Sequence, residues 1–160
     1  MNTPVKHKIV TADYLALKVA PFAALSLTSG CFDLLHYGHI SLINEMFDRW
    51  PLERLVVGIN SDESVRRIKG ASRPIVPERV RAEMVASLDT VSYVCIFGES
   101  TPEELIRRIR PKIFVKGGDY TIDDLIEAPA VMANGGEVHI LPLVPGWSTS
   151  GIIQKLKALG

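Results

Sequence analysis

The stretch Ala23-Ala-Leu-Ser-Leu-Thr-Ser-Gly-Cys-Phe-Asp-Leu-Leu-His-Tyr-Gly-His-Ile-Ser41 decides how the chain is read. Residues 23–28 form a short apolar run of the kind found in a buried strand, and Ile40, Leu42, Ile43 and Met46 are spaced as one apolar face of a helix. His36 and His39 therefore fall at a strand-to-helix junction. Unpaired backbone N–H groups and the positive end of a helix dipole favour an anion there, and imidazoles beside it can donate hydrogen bonds to a phosphate. Gly38 leaves room for close backbone approach. Asp33 suits either a sugar phosphate group or the stabilisation of the turn itself.

Outward from this stretch, strand and helix patterns alternate. Further strands are expected at residues 54–59, 91–97, 112–116 and 137–143, and helices at 39–50, 63–70, from about 77, at 101–110, 122–133 and 152–159. In the helix from about 77, Val80, Met84, Val85 and Leu88 supply an apolar face. In the helix at 101–110, Thr101 is the expected N-cap, with Pro102 first and Glu104 as capping-box partner. Residues 1–22 read as a lead-in with one short helix at 12–18, ended by Pro21. The alternation predicts an α/β, Rossmann-like fold: an open, mostly parallel five-stranded sheet with helices on both faces. Ligands in such sheets lie beyond the carboxyl ends of the strands, where every polar cluster of this chain is expected.

The 160 residues suit a single domain, 1–160. Lysine and arginine number 18 and so do aspartate and glutamate, so neither nucleic acid nor an anionic membrane is the expected partner. Cys31 and Cys95 show neither zinc spacing nor a disulfide framework. Lys6, His7, Lys8, Asp13 and Lys18 interrupt any signal-like apolar region, and no stretch approaches membrane-spanning length. A cytoplasmic enzyme with no metal site of its own is expected.

Three further clusters could carry chemistry. Lys116-Gly117-Gly118-Asp119 places a cation at a strand end beside backbone that a ligand can approach. Ser148-Thr149-Ser150 is an excellent helix N-cap whose hydroxyls and N–H groups also suit part of a polyphosphate. Among Arg66, Arg67, Lys69, Arg73, Arg79 and Arg81, most belong to a solvated helix face, with Lys69, Arg73 and Arg81 the candidates for a phosphate. No nucleophile with an adjacent base stands out. Direct in-line transfer at phosphorus needs none, because positioning and charge neutralisation carry it.

The Gly-Cys-Phe-Asp-Leu-Leu-His-Tyr-Gly-His motif with the later Ser-Thr-Ser-Gly-Ile-Ile resembles the cytidylyltransferase-like nucleotidyltransferases. Val57-Gly-Ile-Asn-Ser-Asp-Glu-Ser-Val, Lys69-Gly, Arg73-Pro74, Val115-Lys-Gly-Gly-Asp-Tyr and Ala133-Asn-Gly-Gly-Glu-Val are similar to the bacterial D-glycero-β-D-manno-heptose 1-phosphate adenylyltransferases, over residues from about 8 to 156. The resemblance implies AMP transfer from ATP to heptose 1-phosphate, with magnesium carried on the nucleotide, in supply of heptose for lipopolysaccharide or other surface glycans. It implies an enzyme without a fused heptose kinase domain, working as a homodimer. It gives His36, His39 and Lys116 the stabilisation of the transferring phosphates, and Ser148 and Thr149 the outer ones. Ser29, Gly30, Cys31, Phe32, Gly38, Asn60, Arg81, Gly117 and Asp119 would complete the nucleotide site, and Asp33, Lys69 and Arg73 the sugar phosphate site. The alternatives are a cytidylyltransferase acting on glycerol 3-phosphate or another small polyol phosphate, and a catalytically silent nucleotide-binding module.

Overall fold

The computed structural model describes residues 5–159. In chain order the elements are α1 (Ala12–Tyr14), β1 (Leu25–Gly30), α2 (Tyr37–Arg49), β2 (Arg54–Asn60), α3 (Asp62–Lys69), α4 (Glu78–Ala86), β3 (Tyr93–Phe97), α5 (Glu103–Ile109), β4 (Ile113–Gly117), α6 (Ala128–Ala133), β5 (Glu137–Leu141) and α7 (Thr149–Lys157). All strand pairs are parallel, in the order β3-β2-β1-β4-β5. The chain thus builds outward from β1 to one side and then crosses back to build β4 and β5 on the other. The reversal leaves a crevice at the carboxyl ends of β1 and β4, where open α/β sheets hold ligands. This is the Rossmann-like arrangement that the alternating pattern predicts.

Successive strand residues feed opposite faces. Val56, Cys95 and Phe114 join one core with Leu105, Ile106 and Ile109 of α5 and Val131 of α6. Val57, Val94 and Val115 join the other with Ile43 and Met46 of α2 and Ala82 and Val85 of α4. Residues 5–22 of the lead-in belong to this body, residues 1–4 lying outside the described residues: Val10 N–H donates to the Val94 carbonyl at 2.9 Å, and Leu15, in a π-helical turn at Leu15–Val19, is fully buried. No helix among the described residues is long and apolar enough to cross a membrane.

Several local expectations give way. The buried face of α4 is Arg81, Ala82, Val85 and Ala86, while Val80 and Met84 are exposed, because a single arginine is anchored inward and rotates the helix about its axis. The helix expected at 122–133 splits into a 3-10 turn at Ile122–Asp124 and α6, since Pro129 has no N–H to donate and fits only a first turn. Pro102, not Thr101, occupies the N-cap position of α5, and no side chain caps it. β1 runs two residues past the expected end, which makes Ser29 and Gly30 the strand's exit toward the crevice.

Candidate active site

Beyond Gly30 the chain turns sharply, and Phe32 and Leu34 adopt left-handed φ angles of 50° and 59°. For residues with side chains this costs about 1–3 kcal/mol each, and their surroundings hold them there. Phe32 is buried against the ring of His39, with centroids 4.9 Å apart. The Asp33 carboxylate accepts from the N–H groups of Ile75 and Val76, both at 2.9 Å, and from Arg73 Nε at 2.6 Å. Burial raises its pKa, but those N–H groups and the guanidinium more than offset this and leave it below the ordinary value. Asp33 is therefore a clamp that fastens the turn to the 73–76 loop. Its side chain is wholly buried, so the turn-stabilising reading prevails over sugar phosphate binding.

Two imidazoles cap α2 reciprocally. His36 Nδ1 accepts from Gly38 N–H at 3.1 Å, and His39 Nδ1 accepts a longer bond from His36 N–H at 3.4 Å. The rings stack with centroids 3.9 Å apart. With Nδ1 an acceptor in each ring, the neutral form carries its proton on Nε2 and offers that N–H outward. Burial pushes His36 below its ordinary pKa, and burial together with the His36 charge pushes His39 down to about 4. Both rings are thus neutral hydrogen-bond donors near pH 7. Gly38 keeps this junction tight: a Cβ there would sit 3.0 Å from the His36 ring and 3.2 Å from the Trp147 carbonyl. Its absence lets the α7 entry lie against the start of α2.

The α7 entry is tied down by its own hydroxyls. Ser148 Oγ accepts from Gly151 N–H at 3.0 Å as N-cap, and Thr149 Oγ1 donates to the Asp33 carbonyl at 2.7 Å. The second bond joins the two turns across 116 residues of sequence. Lys116, at the end of β4, pairs with Glu127 at 2.6 Å.

Arg81 departs from its expected place. Its guanidinium donates to the carbonyls of Val76 and Asn60, each at 2.8 Å, to the Cys31 carbonyl, and to Asp62 Oδ1 at 2.8 Å. Its side chain is wholly buried. Arg81 is an internal strut that holds the β1 and β2 exits together, buried away from the crevice. Asn60 is 5 % exposed and spends its amide N–H groups on Ser64 Oγ and the Glu99 carbonyl.

Two cavities open on this crevice. One, of about 430 Å³, has a basic wall that includes Lys69, Arg73 and Lys116. The other, of about 230 Å³, is lined by Leu42, Leu143 and Trp147. Ser29, Gly30, Phe32, His39, Lys116, Ser148 and Thr149 line both. Cys31, Asp33, Asn60, Lys69 and Arg73 line only the basic cavity; His36, Gly38 and Gly117 line only the apolar one. Arg81 and Asp119 line neither. A third cavity of about 590 Å³ lies between the lead-in, β3 and α5 and includes none of these residues. Glu127, Tyr120 and Trp147 are wall residues that sequence reasoning passed over. For Glu127 the usable signal was Pro129, which fixes where α6 begins. Among the described residues no group of three or more His, Cys, Asp or Glu side chains could hold a metal ion. Cys31 and Cys95 are both free thiols.

A parallel sheet with a donor-lined crevice at its switch point, and with backbone N–H groups of two helix starts at that crevice, is the architecture of a nucleotide-handling α/β protein. The cytidylyltransferase-like family model matches residues 27–154. The chain is a nucleotidyltransferase of the cytidylyltransferase-like family. It is 48% identical over 133 residues to the bifunctional protein HldE of Rhodopseudomonas palustris (strain BisB5), covering 83% of this chain and 27% of that protein. It is 43% identical over 160 residues to the bifunctional protein HldE of Geobacter sulfurreducens, covering 99% of this chain and 32% of that one. The chain thus spans about a third or less of the length of these relatives. Among solved structures, the lipopolysaccharide core biosynthesis protein from Thermoplasma volcanium GSS1 superposes with a TM-score of 0.60 at 26% identity, over 76% of this chain and 97% of that one.

Proposed function

We propose that the chain transfers AMP from ATP to D-glycero-β-D-manno-heptose 1-phosphate, giving ADP-heptose and pyrophosphate. One observation carries this reading: an apolar cavity and a basic cavity share a wall that includes Ser29, His39, Lys116 and the α7 start at Ser148 and Thr149. The apolar side suits a nucleoside and the basic side a sugar phosphate, so the shared wall is where the α-phosphorus would lie. The heptose end rests on the motif resemblance and on relatives that include a lipopolysaccharide core biosynthesis protein.

In this reading an oxygen of the acceptor phosphate attacks the α-phosphorus as the bond to the bridging oxygen breaks, and pyrophosphate leaves with that electron pair. His39 Nε2–H and the Lys116 ammonium meet the charge that grows on the phosphoryl oxygens. His36 Nε2–H meets the same charge from the apolar side, and the N–H groups at the start of α7 hold the outer phosphates. Lys69 and Arg73 draw the acceptor phosphate in, although Arg73 also serves the Asp33 clamp. Magnesium carried on the triphosphate would neutralise part of its charge while these residues hold its oxygens. A homodimer in the cytoplasm belongs to the same proposal, and sedimentation tests the dimer.

The direct test is a grid of nucleoside triphosphates against phosphorylated acceptors, followed by pyrophosphate release. Turnover is expected with ATP and heptose 1-phosphate above every other pair. Turnover with CTP and glycerol 3-phosphate instead would contradict the reading. ATP binding with no turnover for any acceptor would make the chain a binding module.

A further inference from the structure

Glu127 stands at the N-cap position of α6, yet its carboxylate makes no cap to that helix. It turns to Lys116 instead, at 2.6 Å, with its side chain 5 % exposed and the lysine's 26 %. A carboxylate withdrawn this far from water is costly unless paired. The intervening loop is shaped to bring the two together: Gly118 has φ 148°, and a Cβ on it would lie 2.4 Å from the Tyr120 ring folded over it. Lys116, Tyr120 and Glu127 then stand together on the wall of the basic cavity.

We propose that Glu127 is a positioning residue that sets the Lys116 ammonium on the wall shared by the two cavities before any nucleotide arrives. The lysine stem is long and flexible, and its rotamer freedom would otherwise be lost at the moment of binding. An ammonium has three N–H donors. One is held by Glu127 Oε1, which leaves two for phosphate oxygens. The carboxylate therefore acts through Lys116 and has no contact of its own with the transferring group.

This rests on the transfer reaction proposed above, and its test separates the two. Wild type, Glu127→Ala, Glu127→Gln, Lys116→Ala and the double variant are compared as full chains, by pyrophosphate release with ATP and heptose 1-phosphate and by calorimetric titration with ATP. Glu127→Ala is expected to lower kcat about tenfold and ATP affinity about threefold when Lys116 is present, and to change neither by more than about twofold in the Lys116→Ala background. Glu127→Gln, which keeps an oxygen for the ammonium, is expected to recover part of both losses, and it carries the test if the alanine variant does not fold. Equal losses with and without Lys116, or an unchanged kcat, would overturn the proposal. If wild type releases no pyrophosphate with any acceptor, the reaction is wrong on its own account, and the calorimetric comparison alone decides for or against Glu127.

Discussion

Helices α2 and α7 both start at the crevice with a polar cap, and the two starts are put to different uses. At α2 the caps are stacked, partly buried imidazoles whose Nδ1 atoms are spent on backbone N–H groups, so each ring keeps Nε2–H to offer. At α7 both hydroxyls are engaged, Ser148 in its own helix and Thr149 on the Asp33 carbonyl. The first start offers the crevice two imidazole N–H donors; the second offers the Ser148 O–H, whose oxygen alone is spent on the cap, and backbone N–H groups. The Ser148 and Thr149 hydroxyls thus have a structural task of their own, which is to aim α7.

This difference orders the expected effects of substitution. His39→Ala should cost turnover by about 100-fold or more, as loss of a transition-state donor does, beside the roughly 1 kcal/mol of stability expected for a lost cap. A near-normal rate would erase the distinction between the two starts. Thr149→Val removes the tether and should lower kcat/KM for ATP about tenfold, within the net worth of one hydrogen bond, whereas Thr149→Ser keeps the donor and should stay near wild type. If valine and serine behave alike, the hydroxyl is not the tether. Ser148→Ala should cost about 1 kcal/mol of stability in denaturant unfolding, the usual cost of a lost N-cap, with a smaller change in kcat.

The smallest effect is a titration. In the free protein the His39 ring signal in proton NMR should titrate with a midpoint of about 4, against an ordinary 6.5. The folded chain then binds fewer protons than the unfolded one between those values, so the stability that His39 supports is complete above 6.5 and falls as pH drops toward 4. A midpoint near 6.5 would mean that the ring is not buried as described.

Much of this was legible in the sequence because it is periodic or local. Alternating apolar runs specify a parallel sheet, and the glycine between two histidines at a strand exit marks the crevice. What stayed hidden depends on partners far apart in the chain. Asp33 meets Arg73 across 40 residues, and Arg81 gathers carbonyls from three segments; no local pattern distinguishes such an arginine from its solvated neighbours Arg66 and Arg79. Val80 and Met84 look like a buried face only if helix rotation is set by hydrophobicity, and here a buried guanidinium sets it. Asp119 reads as part of the Lys116 motif but is exposed, because the Gly118 turn carries it away from both cavities.

In the proposed transfer the histidines stabilise charge at a phosphorus attacked directly by the acceptor, and are not themselves nucleophiles. The most direct measurement is the stereochemical course at the α-phosphorus, using ATP made chiral there by sulfur and oxygen isotope. A single in-line displacement gives a nucleotide sugar with inverted configuration, which is the result expected. Retention would require two displacements through a covalent enzyme intermediate and would rule out direct transfer to the acceptor.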